Sequence, residues 1–423
     1  MSIDTLAIIK KIGKKIARTD LEKEFPLNEF ETLTLHSGLP GLVLFYGELQ
    51  QAFPEEGWDE TGNKFLTRLV SAIKQQGIPS LSMFSGAAGM GLAAVCLSEN
   101  FKYYNHFISN VNEMIKEQLF SYIGDEPTHG IHMQVYDVIE GLSGILNYLL
   151  LFREDEGIRS ALESGLNYLV TLITRQIHVK GTNVPGWYVP SEYQFSAMES
   201  QIYPNGNFNT SMSHGVAGPL ALLSRCCLQG VVVKGQKRAI ETLIDFLNWS
   251  KQRDEKRIFW KGQIDFLEYQ MKCVNDEHSI RRDAWCYGPP GICYGMALGA
   301  KALNNHVLLH EVEGVFMDAI HDIRGIFSPT FCHGYAGLYQ MVQAMEQLTG
   351  KSYLRERDRL KQNIVSYYNE SNPYGFNNVE TEGPDLIERA STGLLTGATG
   401  TCLALLSGEL GSEKQLWQNA FLL

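Results

Sequence analysis

The sequence of 423 residues contains no run of about 18 apolar residues, so it predicts no membrane-spanning helix. Its first 20 residues carry lysines within and after the apolar positions and lack a small-residue cleavage site, so we expect no secretory signal. Positive charge is scarce, because 36 Lys and Arg stand against 47 Asp and Glu, a formal net charge of −11. A nucleic acid would be repelled over most of such a surface, so nucleic acids are not expected partners.

The cysteine framework of a small secreted domain is also lacking. The eight cysteines are scattered through apolar segments rather than arranged as the framework of a small secreted domain. This distribution predicts free thiols and a cytoplasmic location. In residues 8–18, isoleucines alternate with lysines, which would also suit a peripheral position on the inner face of the cell membrane. An ordinary outer helix covering a core is the favoured interpretation of that segment.

One short pattern recurs seven times: Gly-x-x-Gly followed by an apolar run. We call these the glycine turns and number them along the chain; their first glycines are Gly38, Gly86, Gly141, Gly215, Gly288, Gly334 and Gly397. A spacing of about 50 residues fits two helices and two connections. The runs that follow the turns are apolar nearly all round, which indicates inner helices. Segments such as 65–73 and 243–247 have the one-sided pattern of outer helices.

These repeats predict a mainly all-α fold, an α/α toroid of seven inner and seven outer helices that occupies residues 1–423. A closed ring is favoured over an open superhelix because no copy has an evident polar terminal cap. Residues 176–210 are rich in Gly, Pro and Tyr and predict an inserted β-containing lobe, to which residues 253–283 can add. Within it, Trp187–Val189 and Tyr193–Phe195 are predicted as short strands.

Several glycine turns carry groups more reactive than the repeat requires. Cys286, Cys332 and His333 together would form a three-ligand site with one open position, the pattern of a catalytic zinc. Their spacing is not that of a zinc finger. His214 and Asp137 lie beside two other turns, and all five would converge if the turns share one end of a barrel. Each residue alone has a simpler interpretation: a buried thiol, a satisfied core histidine or a helix cap.

The segments YDVIEGLSGIL, SHGVAGPLAL, RRDAWCYGPPGI and SPTFCHGYAGL closely resemble motifs of the lanthionine synthetase C-like family, and among its members the nisin cyclase type of stand-alone lanthipeptide cyclase. The resemblance covers essentially the whole chain, and WCYG with a downstream CHG is its most specific part. It implies an α/α toroid with a smaller β-containing extension. It also implies one zinc ion per chain, held by Cys286, Cys332 and His333.

The same resemblance implies a reaction. It is the intramolecular Michael addition of peptide cysteines to dehydroalanine and dehydrobutyrine, which forms the thioether rings of a lanthipeptide. Asp137, His214 and Arg282 would be catalytic, in roles that the sequence leaves interchangeable, and Trp285 and Tyr287 would bind substrate. The implied partners are the dehydrated precursor, comprising leader and core peptide, and in a membrane-associated complex a dehydratase and an ABC exporter.

Two alternative functions share part of this pattern. Zinc-dependent prenyl transfer also activates a peptide thiol inside an α/α barrel, but it needs a basic pocket for a diphosphate. Taken alone, Arg282 would ordinarily be a surface cation, and Trp285 and Tyr287 would be packing aromatics. The non-enzymatic alternative is a zinc-containing scaffold that binds peptides or thiols, in which a fourth protein ligand would close the metal site.

Overall fold

The computed structural model describes residues 4–123, 128–275, 281–383, 385–411 and 415–423. Most of these residues are helical, which confirms the prediction of a mainly α-helical fold. The α-helices, numbered along the chain, are α1 (Thr5–Ala17), α2 (Leu21–Glu24), α3 (Leu39–Ala52), α4 (Trp58–Gln76), α5 (Ala87–Leu97), α6 (Asn105–Ile123), α7 (Leu142–Leu149), α8 (Glu156–Thr174), α9 (Ala197–Ile202), α10 (Ala217–Leu228), α11 (Gln236–Ser250), α12 (Phe266–Met271), α13 (Pro289–Ala302), α14 (His306–His321), α15 (Tyr335–Thr349), α16 (Leu354–Ser366) and α17 (Ala398–Leu410).

The strands of the described residues are short and pair only as antiparallel two-stranded ribbons. They are β1 (Gln176–Val179), β2 (Thr182–Pro185), β3 (Asn207–Asn209), β4 (Gln252–Arg253), β5 (Ile258–Phe259), β6 (Gln263–Asp265), β7 (Asn377–Glu382) and β8 (Asp385–Ala390). Short 3₁₀ helices cover Phe30–Leu33, Pro54–Glu56, Met133–Val135, Leu150–Phe152, Ser191–Tyr193 and Leu416–Phe421.

An apolar helix follows each of the seven glycine turns. These helices are α3, α5, α7, α10, α13, α15 and α17. They are buried almost all round, and in α5 every residue is buried. By contrast, α4 and α11 bury one face each, as the alternation of buried and exposed residues along them shows. The predicted distinction between inner and outer helices is therefore confirmed for these elements.

Glycine is required in the turns because other backbone atoms come very close. A Cβ atom at Gly334 would overlap the carbonyl oxygens of Ser328 and Thr330. Gly288 has a φ of +102°, in the region that residues with a side chain rarely adopt. The recurring glycines thus follow from the tight path of the chain immediately before each inner helix.

One compact unit consists of residues Met1–Ile115 and Ile326–Phe421, together with Leu423. In it α3 packs against α4, α5 and α17, while α15 packs against α16 and α17. Neighbouring glycine turns of this unit are joined by backbone hydrogen bonds of 2.8 to 2.9 Å, which run from Leu35 N to Phe84 O, from Leu394 N to His36 O and from Cys332 N to Leu395 O. Turns six, seven, one and two are therefore linked in that order.

The hairpin of β7 and β8 also belongs to this unit, and no sequence pattern predicted it. Its register pairs Asn377 with Ala390 and Glu382 with Asp385. Ser328, which precedes turn six, donates from Oγ to Asn378 Oδ1 and accepts the N–H of Val379, both at 3.1 Å. These two hydrogen bonds hold the hairpin against the segment that leads into turn six.

The second compact unit consists of residues Lys116–Gly325 and Leu422. Here α10 packs against α7, α11 and α13, and α13 packs against α14. Its glycine turns are also linked through the backbone, because Val138 N donates to Ser213 O and Met212 N donates to Cys286 O, each at 3.0 Å. Turns three, four and five therefore form a second hydrogen-bonded series.

All strands between β1 and β6 lie in this second unit, within or beside the two stretches in which β structure was predicted. Strand β3 pairs with β6, so residues 207–209 and 263–265 are joined. Whether these segments form a distinct lobe stays a prediction. The two strands predicted inside the first stretch are wrong: Trp187–Val189 forms only an isolated bridge from Val189 to Asn207, and Ser191–Tyr193 is a 3₁₀ helix. Pro190 fixes φ between them and has no N–H to donate to a ladder.

Helix α1 covers a core, as the favoured interpretation of its sequence predicted. Ile8, Ile9, Ile12 and Ile16 are all buried. Lysines on its other face form ion pairs with acidic side chains at the surface, for example Lys10 with Glu56. Among the described helices, none is both long and apolar enough to cross a lipid bilayer.

Candidate functional site

Turns five and six carry three soft metal ligands. Cys286 belongs to the second compact unit, and Cys332 and His333 belong to the first. The three residues could bind a metal ion. Two sulfurs and an imidazole suit zinc, and three ligands leave one coordination position for another molecule. The residues predicted to hold a metal therefore offer a set of ligands that could bind one.

The position of Cys286 is fixed by the neighbouring glycine turn. Its side chain is buried, and its carbonyl oxygen accepts the N–H of Met212 at 3.0 Å and that of Ser213 at 3.3 Å. The hydroxyl of Ser213 approaches the same oxygen at 3.4 Å. Turn four, which carries His214, thus supports the backbone of turn five, which carries this thiol.

Asp137 and His214 form a direct pair. The distance from His214 Nδ1 to Asp137 Oδ2 is 2.6 Å, so the ring N–H donates to the carboxylate. The other oxygen of Asp137 accepts the N–H groups of Glu140 at 2.8 Å and Gly141 at 2.7 Å at the start of α7. Asp137 is completely buried, whereas His214 retains 22% of its side-chain exposure. The carboxylate is therefore held rigidly, and the imidazole still reaches solvent.

His214 is also oriented by neighbouring residues that the sequence did not single out. The ring edge of Phe195 meets the imidazole with centroids 4.7 Å apart. The backbone N–H of His214 donates to Ser211 Oγ at 3.1 Å. Asn209 accepts the N–H of Ser211 and donates from Nδ2 to the hydroxyl of Tyr287 at 3.0 Å. The Asn and Ser side chains before SHG were the available signal, since such residues commonly bond nearby backbone in turns.

A cleft of about 320 Å³ opens beside these groups. It is lined by Glu199, Ile202, Tyr203, Gly262, Gln263, Arg282, Cys286 and Tyr287. Burial raises the pKa of Tyr287 above its usual range and that of Tyr203 to about 12, so both keep their hydroxyl protons at neutral pH. Arg282, Cys286 and Tyr287 had been predicted as site residues, while Glu199, Ile202 and Tyr203 had not.

Trp285 is not among the residues that line this cleft. Its side chain is completely buried. Its predicted contact with substrate stays a prediction, as do the catalytic roles of Asp137, His214 and Arg282.

Buried ion pairs anchor the segment that carries Arg282. Asp283 accepts two hydrogen bonds from Arg257 Nη2, at 3.0 and 2.8 Å, and one from the backbone N–H of Arg324 at 2.7 Å. Arg257 and Asp283 are both almost fully buried. Because breaking such a pair would leave a charge buried and unpaired, the segment before Cys286 is held firmly in place.

His333 is bonded to a carboxylate that the sequence did not indicate. The distance from its Nε2 to Glu380 Oε1 is 2.7 Å. Glu380 lies on β7, 47 residues further along the chain. Nothing in the repeat pattern points to it, because the hairpin lies between two repeats.

The sequence and the structure were compared with those of known proteins, and the matches agree on one protein family. The sequence model of the family described as "Lanthionine synthetase C-like protein" matches residues 29–422. The chain is 29% identical over 422 residues to the nisin biosynthesis protein NisC of Lactococcus lactis subsp. lactis, covering 98% of this chain and 95% of that protein. A solved structure titled nisin cyclase matches with a TM-score of 0.84 and 29% identity, over 98% of this chain and 97% of that one. The predicted all-α toroid with small β insertions is thereby confirmed.

Proposed function

The chain belongs to the lanthionine synthetase C-like family, and from that membership we propose that it is a lanthipeptide cyclase. It would form lanthionine and methyllanthionine rings by adding peptide cysteine thiols to dehydroalanine and dehydrobutyrine. The observation that carries the proposal is the pairing of His214 with Asp137 at 2.6 Å, in the same compact unit as a cleft that Arg282 and Cys286 line. A carboxylate that holds an imidazole suits proton transfer beside a reacting thiol.

The resident metal proposed here is zinc, one ion per chain. Cys286, Cys332 and His333 would hold it, and the donor set of two thiolates and one imidazole fits its preferences. When bound, zinc would lower the pKa of a peptide thiol, about 8.5 in the free state, and thereby supply the thiolate nucleophile.

The reaction needs no other reagent. The substrate sulfur forms a bond to the β-carbon of the dehydrated residue, and the π electrons of the alkene move toward the amide oxygen. The thiol has released one proton and the α-carbon takes one up. The product therefore has the same mass as the substrate.

His214 is the proposed proton carrier. Its Nδ1 bonds Asp137, so Nε2 is the ring nitrogen that would take the thiol proton or return one to the α-carbon. Asp137 would hold the ring in the required tautomer and stabilise the imidazolium when it forms. The partial exposure of His214 suits an exchange of protons with substrate.

Arg282 is proposed to stabilise the negative charge that develops on the amide oxygen. It lines the cleft together with Cys286, where a fixed cation acts most strongly. Tyr287, on the same wall, would contact the peptide. The substrate proposed for the cleft is a dehydrated precursor peptide of leader and core. A cytoplasmic complex with a dehydratase and an ABC exporter at the membrane remains part of the proposal.

Prenyl transfer, the alternative enzyme class, is disfavoured by the lining of the cleft. A diphosphate leaving group calls for several cationic side chains. Among the described residues that line it, Arg282 is the one cation, and Glu199 adds a negative charge.

The experiment that tests the function is thiol alkylation followed by mass spectrometry. A dehydrated precursor is incubated with the zinc-loaded protein and then treated with iodoacetamide. Because cyclisation leaves the mass unchanged, ring formation appears as the loss of alkylated cysteines. Protein treated with a chelator serves as the control. Full alkylation after incubation with the zinc-loaded protein would contradict the proposal.

A further inference from the structure

The β7–β8 hairpin places one carboxylate directly against His333. Oε1 of Glu380 lies 2.7 Å from His333 Nε2, and the side chains of the two residues are 35% and 12% exposed. Both belong to the same compact unit. A carboxylate oxygen can only accept a hydrogen bond, so Nε2 carries the proton in this contact.

The position of Glu380 is set by a network rather than by chance at the surface. Its Oε1 also accepts a hydrogen bond from Asn378 Nδ2 at 3.0 Å. Asn378 Oδ1 in turn accepts the hydroxyl of Ser328 at 3.1 Å and that of Thr330 at 3.0 Å. Ser328 and Thr330 are completely buried and precede Cys332 in the same turn. The carboxylate and the candidate ligands are therefore braced by one set of hydrogen bonds.

We propose that Glu380 is a positioning residue for the metal centre: it fixes the His333 tautomer with the proton on Nε2 and thereby directs Nδ1 to the metal. The proposal rests on the zinc-dependent function proposed above. A ring nitrogen that donates to a carboxylate cannot bind a metal at the same time, so the contact selects one nitrogen of the two. A carboxylate partner also makes the imidazole a stronger donor, and such partners strengthen metal binding about 10- to 100-fold.

A second glutamate on the same strand shows what an ordinary surface carboxylate looks like. Glu382 lies two residues further along β7, hence on the same face. It is 68% exposed and pairs with Arg389 at 3.3 Å across the hairpin. It has the same charge on the same strand but pairs with Arg389 instead of His333, so it provides a matched control.

The test measures metal affinity as well as activity. Zinc is titrated into the metal-free full-length protein in competition with a chromophoric chelator, for the parent and for Glu380→Ala, Glu380→Gln and Glu382→Gln. We expect Glu380→Ala to bind zinc about 10- to 100-fold more weakly. Glu380→Gln keeps an acceptor without its charge and should lose less, and Glu382→Gln should stay within about twofold of the parent.

A Glu380→Ala protein that binds zinc within about twofold of the parent would overturn the proposal. Circular dichroism and thermal unfolding of each metal-free variant check that the hairpin still folds. If Glu380→Ala unfolds the hairpin, Glu380→Gln decides the matter, because it preserves the size of the side chain. Co²⁺ spectra of the same proteins report the ligand set directly, and an unchanged spectrum and affinity in Glu380→Gln would then count against the proposal.

The outcome is independent of the proposed reaction. If the parent binds zinc tightly and Glu380→Ala binds it weakly, but neither forms rings, the positioning role stands and the cyclase proposal fails. If the parent forms rings and both proteins bind zinc equally, the positioning role fails and the cyclase proposal stands.

Discussion

His214 and His333 occupy equivalent positions in two glycine turns, yet their partners engage opposite nitrogens. Each directly precedes the first glycine of its turn. Asp137 bonds Nδ1 of His214 at 2.6 Å, whereas Glu380 bonds Nε2 of His333 at 2.7 Å. The same backbone motif can therefore present either ring nitrogen, and the position of the carboxylate decides which one remains for chemistry.

The two carboxylates also come from different parts of the architecture. Asp137 belongs to the repeat, is completely buried and accepts the N–H of Gly141, the residue just before α7. Glu380 comes from a hairpin outside the repeat and is 35% exposed. This difference agrees with the proposal that His214 transfers protons and that His333 binds the metal. The predictions below test that division.

The His214→Asn substitution is expected to have the largest effect on the rate of cyclisation. We expect His214→Asn to lower the rate of cyclisation about 10²- to 10⁴-fold, the usual contribution of a general acid or base, while the zinc content stays that of the parent. His333→Asn should instead lose zinc as well as activity. Thiol alkylation measures the rate, and atomic absorption measures the metal. Parental zinc in His333→Asn, or zinc loss in His214→Asn, would break the division of roles.

A smaller loss is expected from Asp137→Asn. The amide oxygen can still accept the N–H groups of Glu140 and Gly141, so the turn should survive. The amide nitrogen would donate where the carboxylate accepted, which favours the wrong tautomer of His214. We expect a loss of about 10- to 10³-fold in rate with normal zinc content and normal thermal stability. A parental rate would show that the pair is structural only.

Glu48 tests what a buried carboxylate does without a histidine. It is 2% exposed, and its Oε1 accepts the N–H of Trp417 at 3.0 Å. Burial raises its pKa from 4.5 to about 7. Between these two pKa values, Glu48 keeps its proton in the folded protein and releases it in the unfolded chain. The free energy of unfolding therefore falls as the pH rises from about 4.5 to about 7, by on the order of 3 kcal/mol.

Glu48→Gln has no carboxyl group to titrate. Its stability relative to the parent should therefore rise between pH 5 and pH 7 and change no further at higher pH. Urea unfolding at several pH values measures the difference, with the exposed Glu55→Gln as the control. A constant difference between Glu48→Gln and the parent across this range would contradict the prediction.

The smallest effect concerns turn six, which carries His333. A Cβ at Gly334 would overlap two backbone carbonyl oxygens, so we expect Gly334→Ala to lower the free energy of unfolding by about 1–3 kcal/mol. Gly314 lies inside α14 with no atom within 4 Å of the added Cβ. Gly314→Ala should raise stability by about 0.5–1 kcal/mol, because alanine favours helix. The same direction of change in both variants would show that the space around Gly334 does not matter.

Much of the fold could be predicted from the sequence because its repeat is local. The glycines and the apolar runs after them mark where each inner helix begins, and the one-sided pattern of α4 and α11 marks outer helices. The strands were harder, because β1–β8 contain six residues or fewer each and pair only in ribbons. The aromatic side chains of Trp187 and Tyr188 favoured a strand over Trp187–Val189. Both side chains are instead buried in an irregular connection.

The site residues also fall into those that could be predicted from the sequence and those that could not. Cys286, Cys332 and His333 could be predicted as ligands because each exceeds what the repeat needs, and His214 and Asp137 stood out for the same reason. Glu380 and Phe195 could not, because a single Glu or Phe in a loop or strand is common in any protein.

The sequence by itself determined the residue types of the chemistry and the turns that carry them, since these depend on side-chain identity and local helix geometry. Only the tertiary structure decided which groups meet. Backbone hydrogen bonds between turns distant in the chain join turn four, which carries His214, to the carbonyl of Cys286. The docking of β7 on turn six places Glu380 on His333. These contacts depend on how the inner helices pack, and no spacing along the chain encodes that distance.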